Sequence, residues 1–158
     1  MESDLRGEMI EHFEDLRLYC YRVASTVGLL VVRLLGCRSP GAYAYAETLG
    51  IAVQLTNVLR DVGADASDGR IYLPREDLER FGVTKESVLA REPSEELRLL
   101  LAFEAERARI HFERATQLLP AEDRRRLRAA QAMGAIYRTL LGELHRRGFP
   151  CLEAPIRL

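Results

Sequence analysis

Apolar residues recur three and four positions apart along nearly the whole chain, and no segment keeps the strict alternation of a strand bounded by hairpin turns. That period predicts an all-α protein. The spacing predicts a first helix from about Glu11 to Leu35, ended by Gly36 and the Ser39-Pro40-Gly41 turn. A second begins after that turn and runs through Ala46, Leu49, Ala52, Leu55 and Val58 to about Val62. The small and polar residues from Gly63 to Gly69 predict a loop, Ile71 to Pro74 a short extended piece, and Arg75 to Phe81 a brief helix stopped by Gly82. Two long helices follow. One runs from Ser94, its cap, to about Leu119, and the other from about Glu122 to Arg147, ended by Gly148. The apolar run Val23 to Leu35 holds Ser25, Thr26 and Arg33, is too short to span a bilayer and reads as a buried helix. With no repeat, linker or low-complexity tract, residues 1–158 read as one helical domain.

Composition narrows the class. A chain of 158 residues that is 47% hydrophobic and 30% charged has enough apolar surface for a core and a pocket, which excludes disorder and a disulfide miniprotein. Its 23 basic and 24 acidic residues leave a formal charge of −1, without the basic excess of a nucleic-acid binder. Glu95, Glu96, Arg98, Glu104, Glu106, Arg107 and Arg109 read as solvated helix faces carrying i,i+3 and i,i+4 pairs. Arg124, Arg125, Arg126 and Arg128 form a basic cluster behind Glu122 and Asp123; it reads as a solvated face, with peripheral contact to anionic lipid as the alternative. Cys20, Cys37 and Cys151 stand far apart, with no CxxC pair, and read as reduced core residues of a cytoplasmic protein. The opening residues lack the charge and apolar stretch of a secretory leader.

The chemistry concentrates between Gln54 and Asp65. At about 100° per residue, Gln54, Asp61 and Asp65 fall in one narrow wedge of a helix, with Asn57 beside it. Ile51, Leu55, Val58 and Val62 adjoin this stripe, so it borders the buried face. Two carboxylates one turn apart, preceded by an amide oxygen, suit a hard cation with oxygen ligands, Mg2+ before Zn2+, and Mg2+ held this way bridges to phosphate oxygens. Arg60 and Arg70 stand nearby to add positive charge for a diphosphate. The alternative is a helix end whose Asp61 and Asp65 merely pair with Arg60 and Arg70 in water, and acidic i,i+4 pairs are common enough to favour it on spacing alone.

Other site types are excluded. Counting back from Gly69 as the sixth position of an EF-hand puts Ala64 and Ala66 where oxygen ligands belong. His12, His111 and His145 form no HExxH, and no GxSxG, Walker A or GxGxxG occurs.

Longer motifs then reverse the balance. Gln54 to Asp65, continued through Gly69-Arg70-Ile71-Tyr72-Leu73-Pro74, resembles the second aspartate-rich signature of the squalene and phytoene synthase family. Tyr19-Cys20-Tyr21-Arg22-Val23-Ala24-Ser25-Thr26-Val27-Gly28 resembles that family's other signature, and Phe103 to Arg109 and Ala135 to Leu141 are similar to it as well. The resemblance implies a helical bundle of the isoprenoid synthase type. It further implies head-to-head condensation of two prenyl diphosphates. The phrasing is most similar to members that convert two farnesyl diphosphates to presqualene diphosphate, with those that join two geranylgeranyl diphosphates into phytoene close behind. Asn57, Asp61 and Asp65 would then hold Mg2+ on a substrate diphosphate, with Gln54, Arg60 and Arg70 assisting. Tyr19, Tyr72 and Tyr137 would line the cavity near the reacting carbons, Tyr19 positioning a proton transfer. Val23, Val27, Leu30, Leu34, Leu49 and Val53 would form an apolar wall, although on pattern alone they are ordinary core.

The family's earlier DxxxD has no counterpart here, since Glu11 and Asp15 stand in a different setting. The chain therefore resembles the C-terminal portion of a synthase. Missing helices would leave apolar surface open to self-association. The competing class of function is a noncatalytic helical fragment that binds a partner chain or lipid.

Overall fold

The computed structural model describes residues 9–150, and every regular element among them is a helix. The first apolar period folds as α1 (Phe13–Cys20), a π-helical turn (Tyr21–Ser25) and α2 (Thr26–Leu34), joined without a break. The expected extent holds. The π turn, which inserts an extra residue into an α-helix, falls where the chain meets α3 (Pro40–Ser67). Ser25 is fully buried there, and its hydroxyl donates to the Glu47 carbonyl at 2.7 Å.

Helix α3 runs five residues past its predicted end. Gly63 to Ser67, expected as a loop, are helical. Val62, Gly63 and Ala66 are buried, and that burial outweighs the weak helical preference of Gly63 and Asp65. Ser67 bonds back to the Gly63 carbonyl at 2.9 Å, and the helix ends at Gly69 with φ +75°. Asp61 and Asp65 consequently sit on one continuous helix.

Helix α4 (Arg75–Phe81) stops at Gly82, in the left-handed region, as predicted. The short α5 (Lys85–Leu89), capped by Thr84, lies in a stretch left unassigned from sequence, being only five residues long. Helix α6 (Glu95–Leu118) starts at Ser94, whose hydroxyl oxygen accepts from Leu97 N at 3.1 Å. Ser94→Ala is expected to destabilise the fold by about 1 kcal/mol and Ser94→Gly by only a few tenths. Denaturant midpoints check this, and equal losses would mean that the cap contributes nothing.

The last long helix begins later than predicted. Residues 121–123 form a 3-10 turn, and α7 spans Arg128–Arg146. The reason is tertiary: the buried Asp123 carboxylate accepts from Ser39 Oγ at 2.8 Å, folding this segment against the start of α3. Arg124, Arg125 and Arg126 are exposed on the resulting turn, not on a helix.

Helix α3 is the centre of the bundle, packed by α6, by α1 and α2 with their π turn, and by α7. Small residues set the approach. A Cβ on Gly28 would meet the Ala46 carbonyl at 3.2 Å, and one on Gly134 would meet Leu49 at 3.1 Å. Leu55, Leu59, Leu100, Leu101, Phe112, Leu140 and Leu144 form the core. Cys20 and Cys37 are buried and unbridged, as expected; Cys151 lies outside the described residues.

Two expectations are corrected. The run Val23 to Leu35 is not a buried helix: in α2 only Val32 is buried, while Val23, Val27, Leu30 and Leu34 are exposed, Leu34 by 85%. No described element covers that face, whereas Leu49 and Val53 lie under α3's neighbours and are buried. Glu104 is not on a solvated face, and Arg107 is only 21% exposed, because α4 packs over them. No helix among the described residues is long and apolar enough to cross a membrane.

Candidate functional site

Gln54, Asn57, Asp61 and Asp65 lie along one half-buried stripe of α3, bordered by the buried Leu55, Val58 and Val62. Asn57 Nδ2 donates to Gln54 Oε1 at 3.2 Å, which leaves Asn57 Oδ1 buried without a hydrogen-bond partner. Asp61 accepts from Arg60 Nε at 2.8 Å and Nη2 at 2.6 Å. That contact, reinforced by the nearby Tyr137 of α7, holds the guanidinium above its ordinary pKa. Asp65 faces Arg70 at 3.6 Å, and Arg70 also donates to Asp68 at 2.8 Å. Burial pushes the Asp65 carboxyl up, Arg70 draws it down, and the charges of Asp61 and Asp68 push it up again.

Tyr19 of α1 and Tyr72, in the segment between α3 and α4, stack with ring centroids 4.9 Å apart and planes inclined by 21°. Tyr72 also lines a small cavity with Val58, Val62, Asp65 and Arg70. All nine residues singled out from sequence thus gather around the second half of α3, in contacting groups contributed by α1, α3, the segment after it and α7. The cavity measures about 10 Å³, room for at most one water. The open apolar surface lies elsewhere, on Val23 of the π turn, on Val27, Leu30 and Leu34 of α2 and on Met133 and Ile136 of α7.

The pairing of Asp61 with Arg60 and of Asp65 with Arg70 is the one the bland reading expects, but it sits on a half-buried face instead of in water. The idle Asn57 Oδ1 and the Asp61 and Asp65 carboxylates, one turn apart, are all oxygen donors. Such donors fit a hard divalent ion. Among the described residues no three His, Cys, Asp or Glu stand together as a metal cluster. Two carboxylates and one amide would supply only part of an ion's shell, leaving the remainder to waters and phosphate oxygens.

The family model for squalene/phytoene synthase matches residues 1–158. The chain belongs to the squalene/phytoene synthase family. It is 40% identical over 159 residues to presqualene diphosphate synthase of Sinorhizobium fredii, covering 100% of this chain and 57% of that protein. It is 42% identical over 144 residues to phytoene synthase of Mycobacterium bovis, covering 89% and 47% respectively. The crystal structure of squalene synthase HpnC from Alicyclobacillus acidocaldarius superposes with a TM-score of 0.81 at 32% identity, over 94% of this chain and 56% of that one. The fold is thus the all-α isoprenoid synthase type. The chain spans about half the length of the relatives it matches.

One cluster of this squalene/phytoene synthase family chain was not legible in its sequence. Asp77, Glu104 and Arg107 meet between α4 and α6. The signal available was Glu104 and Arg107 at i,i+3 with Phe103 beside them, indistinguishable in sequence from a surface pair.

Proposed function

We propose that the Gln54 to Asp65 stripe holds a substrate diphosphate through Mg2+, in a transferase that condenses two farnesyl diphosphates head to head into presqualene diphosphate and releases diphosphate. The observation that carries this reading is the placement of Asp61 and Asp65 one turn apart on α3, beside the unpartnered Asn57 Oδ1. Asn57, Asp61 and Asp65 would hold the ion. Bound there, Mg2+ neutralises charge developing on the leaving diphosphate.

Gln54, Arg60 and Arg70 bind the diphosphate oxygens. For this, the Arg60–Asp61 pair must open, so that the guanidinium turns to phosphate and the carboxylate to the ion. Tyr19, Tyr72 and Tyr137 line the approach to the reacting carbons, and Tyr19, stacked on Tyr72, holds the position from which proton loss closes the cyclopropane. The exposed valines and leucines of α2 take the prenyl chain and keep water from the allylic cation. The relative named presqualene diphosphate synthase, matched over the whole chain, supports farnesyl diphosphate as substrate. The 42% identity to a phytoene synthase supports a second reading, in which two geranylgeranyl diphosphates condense.

Isothermal titration of the 158-residue chain with a nonhydrolysable farnesyl diphosphate analogue, with and without Mg2+, tests the site. Binding that requires Mg2+ is expected; binding indifferent to Mg2+, or none, overturns the reading. Product analysis with farnesyl and geranylgeranyl diphosphates decides between the two substrates. The absence of product together with a stable dimer or liposome binding would favour a noncatalytic module that self-associates or sits on a membrane.

A further inference from the structure

Asp77 in the first turn of α4 and Glu104 and Arg107 on α6 form a buried charged cluster that the proposed reaction does not use. Arg107 Nη1 lies 2.5 Å from Asp77 Oδ2 and 2.8 Å from Glu104 Oε1, and both carboxyl side chains are 3% exposed. Two ionised carboxylates on one guanidinium would leave a net negative charge out of reach of water, which is costly. Glu104 Oε2, in addition, has no hydrogen-bond partner, and an idle buried acceptor costs again. One proton removes both faults: it cancels the excess charge and turns Glu104 into a donor facing Asp77.

We infer that Glu104 is protonated at neutral pH and that Glu104, Asp77 and Arg107 form a proton-dependent latch positioning the Tyr72 segment against Tyr19. Asp77 follows Tyr72 by five residues and is tied to α6 through Arg107. Its neighbour Glu76 accepts from Phe13 N at 2.7 Å and pairs with His12 at 2.9 Å, which ties the same turn to the start of α1. The Arg107 guanidinium also lies over the rings of Phe13 and Phe103, at 4.1 and 4.4 Å. The latch thus fixes the two elements whose tyrosines stack. Its functional meaning rests on the cavity role proposed for Tyr19 and Tyr72, but its existence does not.

Burial pushes the Glu104 carboxyl up, with Arg107 opposing and Asp77 reinforcing. The groups facing it are Asp77 from α4, Arg107 on its own helix, and the buried Cys20 thiol of α1, itself pushed up to about 12 and so neutral throughout. Because the folded state keeps a proton that an unfolded glutamic acid releases near pH ~4.3, the stabilisation is complete below that value. It is lost as pH rises through about 8, by up to about tenfold in the unfolding equilibrium per pH unit. His12, raised by Glu76, weakens in the same direction, so the Glu104 share is a difference between variants.

Chemical unfolding of the whole chain and of Glu104→Gln, between about pH 5.5 and 8.5, is the test. The neutral amide is expected to keep a flatter profile, and the wild type to lose at least about tenfold in stability relative to it between the acid and the alkaline end. Parallel pH slopes would show Glu104 ionised and overturn the inference. Should Glu104→Gln not fold, the wild-type infrared band of a protonated carboxylic acid at neutral pH, fading on alkalinisation, serves instead, and its absence sinks the idea. The near-ultraviolet dichroism of the tyrosine stack, taken as the difference from Tyr72→Leu, should follow the same pH curve; a pH-flat signal overturns the positioning role. None of these readouts uses a prenyl diphosphate, so failure of the proposed function and failure of the latch are separable.

Discussion

Asp61→Asn is expected to lower the Mg2+-dependent affinity for a farnesyl diphosphate analogue by at least about 100-fold while leaving helicity unchanged. Losing a partner of a metal ligand typically costs roughly 10–100-fold in affinity, and here the anionic ligand itself is removed from a half-buried face. The fold survives because the asparagine oxygen can still accept from Arg60 on a half-buried face. The substitution also frees Arg60 from a carboxylate, so binding measured without Mg2+ should rise slightly. Titrations with and without the ion, beside far-ultraviolet dichroism, separate these effects. Mg2+-dependent binding retained at wild-type strength would remove Asp61 from the metal role and return the stripe to plain ion pairing.

Gly50→Ala carries the largest expected cost in stability, about 3 kcal/mol, the upper part of the range for overpacking a tight contact. A Cβ at this position would stand 2.7 Å from Ser25 Cα and 2.8 Å from its N and Oγ. Two of those atoms, Cα and N, belong to a helical backbone, which has no rotamer by which to yield. Helix propensity argues the opposite sign, since alanine gains about 1 kcal/mol over glycine in a helix interior. The test is therefore a contest between local preference and tertiary contact. Gly142, on the exposed side of α7 with nothing within 4 Å of its would-be Cβ, supplies the control. Gly142→Ala should stabilise by about 1 kcal/mol, whereas Gly50→Ala should lower Tm by roughly 6–12 °C for a domain of this size. If both substitutions stabilise, α3 and the π turn do not approach as described. The site depends on that approach, because Tyr19 enters it from the helix ending at Cys20, directly before the turn.

The fold class, the order of the long helices and the polar stripe on α3 were legible in the sequence alone. These are local properties. A 3.6-residue apolar period marks one face of a helix wherever the rest of the chain lies, and Ser94 and Gly82 act on backbone groups a few residues away. Gln54, Asn57, Asp61 and Asp65 share a face for the same reason, and two long motifs sufficed to indicate the squalene/phytoene synthase family.

Packing between distant segments set the rest. Small and polar residues from Gly63 to Ser67 look like a loop until Ala66 is buried. The buried Asp123, bound to Ser39 across 84 positions, delays the start of α7. The apolar residues of α2 resemble core in sequence, but which apolar face meets a neighbour is a property of packing, and most of theirs meets none among the described residues. Glu104 and Arg107 resemble a surface pair until α4 closes over them. The Tyr19–Tyr72 stack and the Arg60–Tyr137 contact join residues 53 and 77 positions apart, beyond any local period. A side chain's protonation, its partners and its exposure are set by what the fold brings from elsewhere; the residue type sets only which of them are open to it.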